Sequence, residues 1–187
     1  AKIAEMDVLV PNLGSADQST KLNAINNLGE RRDAYVLSDI EGVTDTGPDV
    51  SYAKKRAIAL ITDGRDMGLW SEIDFSAALT DSSTVIMRHA LREILQRTAI
   101  AADIKASAEQ IVKNKMAGLV DYQMDAVNNN PGYRFLQSLG GVIEPLIVAH
   151  IHDTTLNYNS RRWMMILLGQ TGAFNTAFPV FESIFND

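Results

Sequence analysis

The chain has 187 residues, of which 46% are hydrophobic and 21% are charged, as expected of one folded domain with or without an extension. Seventeen basic against twenty-three acidic side chains leave a net charge of -6, which argues against a protein whose main task is to coat nucleic acid. The sequence contains no cysteine, so disulfides, thiol nucleophiles and cysteine-ligated metal sites are excluded. It has no run of about twenty apolar residues and no signal-peptide pattern, so we expect a soluble, non-secreted protein without membrane contact.

The first half of the chain predicts helices separated by a turn-rich loop. One helix ends at Gly29, and a second begins at Pro48 and ends near Gly64; both carry apolar side chains three and four positions apart. Proline suits the first turn of a helix, because an N–H group has no partner there. Residues 65–80 sustain neither the helical nor the strand period, so we expect an irregular segment or a short β element.

Two long helices are predicted next. The first follows a cap at Asp81 or Ser82 and repeats apolar residues at a spacing of three and four. The second runs from about Ala101 to Val127 and stops at the sequence NNNPG. The expected fold class is therefore mainly α: a helical bundle in which these two helices run antiparallel, followed by an extended C-terminal segment.

The composition changes after residue 130, where charges become few and glycine pairs and apolar runs appear. We therefore divide the chain into a helical core domain, residues 1–130, and an apolar C-terminal extension, residues 131–187, that serves docking or oligomer contacts. Arg161, Arg162 and Trp163 begin one of the apolar runs. We expect these three residues to take part in subunit contacts.

The C-terminal end of the chain is rich in phenylalanine. Phe174, Phe178, Phe181 and Phe185 recur at intervals of four, three and four, which places them on one side of a helix, although Pro179 interrupts the pattern. A segment with so much apolar area has to be covered. It docks either onto its own domain or into the groove of a partner, and the sequence leaves both open.

Two of the three histidines, His150 and His152, lie beside Asp153, and these residue types bind metals and transfer protons. Histidines two positions apart share a face in a strand, whereas in a helix they diverge by about 200°. The neighbourhood has helical character, and no His-x-x-x-His or Glu-x-x-His spacing supplies further ligands. We therefore expect structural histidines and predict no cofactor, metal or catalytic residue. A metal-dependent hydrolase built on this cluster is the minority alternative.

The order of elements over about residues 19–128 resembles that of a known family. The runs KLNAINNLGERRDAYVLSDIEGVTDTGPDVSYAKKRAIALITDGRDMGLWSEIDF and STVIMRHALREILQRTAIAADIKASAEQIVKNKMAGLVDYQM carry the resemblance. They contain a short helix ending near a glycine, an acidic turn-rich loop, an amphipathic helix before a tryptophan-bearing segment, and two long helices. This pattern is similar to that of the head-to-tail connector, or adaptor, proteins of short-tailed bacteriophages.

The resemblance implies a structural virion protein without enzyme activity, assembled in the host cytoplasm and placed at the head–tail junction. Family members form a dodecameric ring beneath the portal, continue the DNA channel and dock a C-terminal segment onto the portal. The implied partners are further copies of this chain, a portal protein, a tail component and DNA that passes without sequence specificity. An acidic balance suits a channel in which DNA slides. The resemblance also implies a helical core filled by Ile25, Leu28, Val50, Ile58, Ile61 and Trp70.

This chain departs from the family pattern in two places. The tryptophan-bearing segment is shorter than the sheet-containing insertion of some relatives, and the apolar region from Tyr133 onward has no counterpart. Both departures concern the segments that would contact partners. The alternative interpretation is therefore another helical capsid or virion assembly protein.

Overall fold

The computed structural model describes most of the chain, namely residues 2–120, 130–171 and 174–185, with the backbone alone for residues 2–6, 174–176 and 185. The protein is mainly helical, as the sequence predicts, and no strand occurs in these described ranges. Among the helices of the same ranges, none combines the length and the apolar character needed to cross a membrane.

The helices follow one another through short connections. In the described part of the chain the α-helices are α1 (Lys2–Asn12), α2 (Gln18–Arg31), α3 (Leu37–Glu41), α4 (Pro48–Ile61), α5 (Glu72–Leu79), α6 (Thr84–Gln96), α7 (Ala102–Ala117), α8 (Pro131–Leu139), α9 (Glu144–His152), α10 (Tyr158–Gln170) and α11 (Phe174–Phe185). Short 3-10 turns lie at Ala34–Val36, Met67–Leu69 and Gly140–Ile143. The chain divides into two compact units, which we call the first unit, Ala1–Ala90, and the second unit, Leu91–Asp187.

The core of the first unit lies where α2 packs against α4. Asp17 starts α2 by accepting a hydrogen bond from the N–H of Thr20 at 2.7 Å, and Pro48 occupies the first turn of α4 as predicted. A Cβ atom on Gly29 would lie 2.7 Å from the Cα of Ala57. The two helices therefore approach more closely than a side chain at this position would permit.

The residues that the family resemblance places in the core do lie there, to different depths. Ile25, Leu28, Val50 and Trp70 are buried. Ile58 and Ile61 pack against the same core with partly exposed side chains. The helical spacing of apolar residues in α2 and α4 thus predicts which face of each helix turns inward.

The second half of the segment from residue 65 to 80 is the helix α5 instead of an irregular or β element, whereas its first half consists of turns, among them the 3-10 turn Met67–Leu69. A capping box starts α5: Ser71 Oγ accepts a hydrogen bond from the N–H of Asp74, whose carboxylate accepts one from the N–H of Ser71 at 2.8 Å. The helix then buries Phe75 and Leu79, four positions apart. Two turns are too short for a period to stand out in the sequence. The Ser-x-x-Asp pattern is the signal that identifies this helix.

The two long predicted helices correspond to α6 and α7, but α7 is shorter than expected. It ends at Ala117, where the N–H of Gly118 donates to the carbonyl of Asn114 at 3.0 Å and the chain then leaves the helix. Glycine favours such an end, because it gains more backbone freedom outside a helix than other residues do. The predicted continuation to Val127 falls in part on residues 121–129, which lie outside the described residues.

The second unit packs α7, α8, α9 and α10 around an apolar core. Asn130 caps α8 by accepting a hydrogen bond from the N–H of Tyr133 at 3.0 Å. The rings of Tyr133 and Trp163 pack together with a centroid distance of 5.1 Å, and each residue is 1% exposed. Burial raises the pKa of Tyr133 to about 12, so its hydroxyl stays protonated and donates to Gln170 at 2.8 Å.

The sequence-based division at residue 130 differs from the division into units. The packing places the boundary between Ala90 and Leu91, within α6. The reason is that α7 contacts α8 and α9, which lie on the other side of residue 130. The change in composition marks the position after which charged residues become fewer in the sequence. The unit boundary marks the position at which the helices change their packing partners.

Candidate functional site

The C-terminal segment, expected to be extended, is the helix α11, which packs on α10. Pro179 lies inside α11 without ending it. Ala177 and Val180 are buried, whereas Phe178 is 58% exposed and Phe181 is half-buried. The helix thus docks onto its own unit through small and branched side chains and leaves an aromatic ring at the surface. The side chains of the other two predicted phenylalanines, Phe174 and Phe185, lie outside the described part of the molecule.

A small apolar cavity lies between these two helices, and we call it the α10–α11 groove. It has a volume of about 100 Å³ and is lined by Leu168, Gly169, Ala177, Phe178 and Phe181. Among the residues that the structure describes, no heavy atom lies within 4 Å of a Cβ atom placed on Gly169. The sequence from residue 163 to 181 contains no charged residue. The groove is therefore suited to an aliphatic or aromatic side chain.

The predicted contact residues at the start of α10 have different environments. Trp163 is buried in the core of the second unit, whereas Arg162 is exposed. Arg161 is half-buried, and its Nη1 atom lies 3.5 Å from the carbonyl oxygen of Ile151. The surface open to a partner therefore includes Arg162 and excludes Trp163.

The histidine cluster has the geometry of structural residues. His150 and His152 both lie in the last turn of α9, where His150 is buried and His152 is exposed, as the helical divergence predicts. The Nε2 atom of His150 lies 3.1 Å from Ser160 Oγ. Burial lowers the pKa of His150, although the nearby Asp153 acts in the opposite direction. Among the described residues no group of three His, Asp or Glu side chains could hold a metal ion.

The first unit contains a network of charges centred on Arg56. Its guanidinium donates to both carboxylate oxygens of Asp81, at 2.7 and 3.1 Å, and to Glu30 at 2.6 Å. Asp81 also accepts hydrogen bonds from the Tyr52 hydroxyl at 3.0 Å and from the N–H of Ser83 at 2.8 Å. The side chains of Arg56 and Asp81 are 11% and 6% exposed, so this bidentate pair joins α4 to the residues before α6 largely out of water.

The neighbouring groups keep this network charged. Burial raises the pKa of Asp81, but the hydrogen bonds and positive charge of Arg56 outweigh it, and the pKa lies below its usual value. The pKa of Asp74 is also lowered, because its hydrogen bonds outweigh its burial. Burial, and then the charge of Asp81, raises the pKa of Tyr52. At neutral pH both carboxylates are ionised and the phenol is protonated, which suits holding the fold more than transferring protons.

An open cleft of about 910 Å³ lies along α2, α4 and α5 beside this network. Lys55 pairs with Asp74 at 2.6 Å on another part of its wall, and the Arg56–Asp81 pair lines the same cleft. The positive charges of Lys55 and Arg56 are thus each paired with a buried carboxylate inside the unit. The cleft is thus a surface with satisfied polar groups, and its shape alone does not define a chemistry.

Two exposed aliphatic residues, one just before α5 and one in its first turn, were not singled out by their sequence pattern. Leu69 is 83% exposed and Ile73 is 81% exposed. The only sequence signal is their position beside Trp70 in a segment without a sustained period, and exposure of an aliphatic side chain cannot be inferred from residue type.

The comparisons with known proteins supply no family for this chain. No protein-family model matches it, and no curated protein matches it either.

Proposed function

We propose that this protein is a structural virion protein, a ring-forming adaptor that bridges the portal and the tail of a short-tailed bacteriophage and continues its DNA channel. The observation that carries the proposal is the order of helices from α2 to α7, which the structure describes over residues 18–117. A helix with a glycine near its end, α2, is followed by an acidic turn-rich segment that includes the short α3, by α4 before Trp70, by the short α5, and by α6 and α7. That order is the one by which the sequence resembles the connector family.

The charge of the first unit supports the proposal. This unit carries nine Lys and Arg against fourteen Asp and Glu, a net charge of -5, whereas eight basic and nine acidic residues leave the second unit with -1. An acidic wall repels the phosphate backbone and so reduces nonspecific adhesion of DNA. We assign a channel-facing surface to the first unit, with no sequence-specific contact to DNA.

The C-terminal part supplies the contacts between proteins in this proposal. Residues 131–187 form the docking or oligomerisation extension, with Phe174, Phe178, Phe181 and Phe185 as contact candidates. The exposed ring of Phe178 supports this role, because a large apolar side chain at the surface gains free energy when a partner covers it. The proposal also includes an antiparallel arrangement of α6 and α7, which suits helices joined by the short link 97–101.

Electron microscopy of the purified protein, alone and mixed with the portal protein encoded by the same genome, tests the proposal. We expect ring-shaped particles that cap the portal and share its axis. A protein that stays monomeric and binds no virion component contradicts the proposal. Filaments, shells or a ring that ignores the portal would instead indicate another helical capsid or virion assembly protein.

Removal of the tail sharpens the same test. A chain that ends before Phe174 is expected to keep most of the helical content of α1 to α10, because α10 packs on α9 and α7 as well as on α11, and to lose its portal contact. The matched variant Tyr158→Ser removes another exposed aromatic ring, 62% exposed, and should keep that contact. A truncated chain that binds the portal as well as the full chain contradicts the docking role of the tail.

A further inference from the structure

The turn after α4 contains the one Asp-Gly pair of the sequence, Asp63–Gly64, and the sequence contains no Asn-Gly pair. In an Asp-Gly pair the glycine nitrogen can attack the side-chain carboxyl carbon of the aspartate, because glycine has no side chain to shield that nitrogen or to restrict the backbone. The product is a five-membered succinimide ring, whose hydrolysis leaves either aspartate or isoaspartate. Asp63–Gly64 is therefore a candidate site of spontaneous covalent change in the main chain.

The fold accounts for both residues of this pair. The N–H of Gly64 donates to the carbonyl of Ala59 at 2.8 Å, which is the hydrogen bond of a Schellman motif at the end of α4. Asp63 precedes it with a φ of 53°, a left-handed conformation that aspartate adopts more often than most residues. A Cβ atom on Gly64 would lie 2.5 Å from Nδ1 of His89, so only glycine fits under this imidazole. The packing that ends α4 thus creates the reactive pair.

The folded chain restrains both reacting groups. The hydrogen bond from Gly64 to Ala59 fixes the main chain that has to rotate before the ring can close. The Oδ1 atom of Asp63 accepts a hydrogen bond from Nη2 of Arg88 at 2.9 Å and lies 3.0 Å from Nε2 of His89. The hydrogen bond with His89 and the nearby positive charges hold the pKa of Asp63 below its usual value. An ionised carboxylate reacts slowly, because its oxygen leaves as water only after protonation.

We propose that Asp63–Gly64 is a site of isoaspartate formation, kept slow in the folded chain by the hydrogen bond of Gly64 and by the contacts of Asp63 with Arg88 and His89. In the opened chain the Gly64 nitrogen bonds to Cγ of Asp63, and the carboxyl hydroxyl leaves as water with the amide proton. Water then adds to the main-chain carbonyl carbon of Asp63 and breaks its bond to the Gly64 nitrogen, which stays attached through Cγ. The main chain gains one carbon atom there. This chemistry needs only water and is independent of a role in a virion.

Incubation of the full chain, folded in buffer and unfolded in guanidinium chloride at the same pH and temperature, tests this inference. Mass spectrometry after digestion with a protease that cleaves before aspartate but not before isoaspartate measures the product at each position. Asp66 is the internal control, because it is also left-handed, with a φ of 68°, and its side chain is 55% exposed, but Met67 follows it. Asp63→Glu is the chemical blank, since its longer side chain cannot close a five-membered ring.

In the unfolded wild type we expect isoaspartate at position 63 and little at Asp66. In the folded wild type its formation should be about tenfold slower, which is the factor that one lost hydrogen bond corresponds to. Hydrogen exchange of the Gly64 amide in the folded chain should be slowed by a similar factor, because the same local opening exposes that N–H. Position 63 of the Asp63→Glu chain should give no product in either state.

Arg88→Gln with His89→Gln removes the side-chain restraints and should bring the folded rate towards the unfolded one, with Arg88→Gln alone in between. Arg92→Gln, at an exposed residue one turn further along α6, is the control and should match the wild type.

Three results would each overturn the inference: equal isomerisation at positions 63 and 66 in the unfolded chain, equal rates in the folded and unfolded wild type, or a folded double variant as slow as the wild type. Circular dichroism checks that the variants are folded. If the double variant is not folded, Arg88→Gln and the wild-type comparison decide the outcome.

Discussion

Both units of this protein bury an apolar core, but in their described residues they use charge differently. In the first unit, ion pairs connect separate elements: Arg56 joins α4 to Asp81 and Glu30, and Lys55 joins it to Asp74. In the second unit, the packing of aromatic rings and the burial of aliphatic side chains hold together the helices α7, α8, α9 and α10. The ion pair of Lys113 with Glu109, at 3.7 Å, links residues on a single helix.

The difference shows that charge serves two purposes in this chain: ion pairs fix an internal arrangement, and the balance of charges sets the character of a surface. A buried charge is destabilising without its partner, so the network of the first unit requires every member to be in place. Apolar packing depends on volume and leaves the surface chemistry free. The first unit can thus combine an acidic balance with a specific internal arrangement, whereas the sequence of the second contains no charged residue from 163 to 181.

The unfolding of each unit can be followed separately in solution by tryptophan fluorescence. Each contains one of the two tryptophans, Trp70 in the first and Trp163 in the second. Both are buried, at 5% and 1% exposure, so unfolding changes their fluorescence. Replacing either one with Phe leaves a single reporter for the other unit, and urea titration of these variants then measures the effect of each mutation on a chosen unit.

Removing one partner of the buried ion pair should have the largest effect. Asp81→Ala leaves Arg56 largely out of water without the carboxylate that accepts two of its hydrogen bonds, and breaking such a pair costs about 3–5 kcal/mol. We expect the free energy of unfolding reported by Trp70 to fall by this amount. The control Glu30→Ala removes the other partner of Arg56. The side chain of Glu30 is 52% exposed, so its loss should lower the free energy of unfolding by less than ~1 kcal/mol. Equal effects of the two variants would contradict a network centred on the buried pair.

A cavity in the second unit should have the next largest effect. Leu167 is fully buried in α10, and Leu→Ala changes at such sites cost about 2–5 kcal/mol, here taken near 3. Urea unfolding monitored by Trp163 should show this loss. Leu69→Ala removes the same atoms from a side chain 83% exposed and serves as the control, with little effect expected on the monomer. If the Leu167 variant loses less free energy of unfolding than the Leu69 variant, apolar packing is not what stabilises the second unit.

The helix crossing in the first unit should respond to one added methyl group. Gly29→Ala places a Cβ atom 2.7 Å from the Cα of Ala57, so α2 and α4 must separate, and overpacking of this kind costs about 1–3 kcal/mol. Gly68→Ala adds the same group where nothing lies within 4 Å and should be nearly neutral. Stabilisation by Gly29→Ala, as helix propensity alone predicts, would show that the crossing is looser than described.

The pH dependence of the two units should differ, with the smallest effect near neutrality. The pKa of His150 is lowered from 6.5 by burial. Its contribution to the free energy of unfolding is therefore complete above pH 6.5 and is lost as the pH falls below that value. Asp81 and Asp74 have pKa values lowered from 3.8, so their contribution is lost at pH values below 3.8. Between pH 7 and 5 the stability of the second unit should therefore fall before that of the first. The variant His150→Gln should remove this early loss, and an unchanged slope in that variant would assign the loss to another group.

Much of the helical architecture could be predicted from local patterns. The apolar spacing in α2 and α4 and the proline at the start of α4 are properties of neighbouring residues, and the structure confirms both. α5 was missed because its two turns bury few residues and its cap lies in the single pair of Ser71 and Asp74. The early end of α7 was missed because apolar residues continue at helical spacing past Gly118.

The candidate site could be predicted only in part. The spacing of His150 and His152 predicts that they diverge in a helix, and the structure confirms this. The spacing of the phenylalanines predicts one face of a helix, but not that Phe178 is more exposed than Phe181, because that depends on where α10 lies. Trp163 likewise stands in an apolar run beside two arginines, and only its contact with Tyr133 makes it a core residue.

By itself the sequence determined a cysteine-free, mainly helical protein with an acidic balance and an uncharged stretch over residues 163–181, since composition and short-range periodicity suffice for these. Tertiary structure decided which charges are paired, where the two units divide, and which apolar side chains are exposed. Arg56 and Asp81 stand 25 positions apart, and the residues that form the α10–α11 groove come from two helices. No local pattern encodes such contacts, because they depend on the path of the chain between their members.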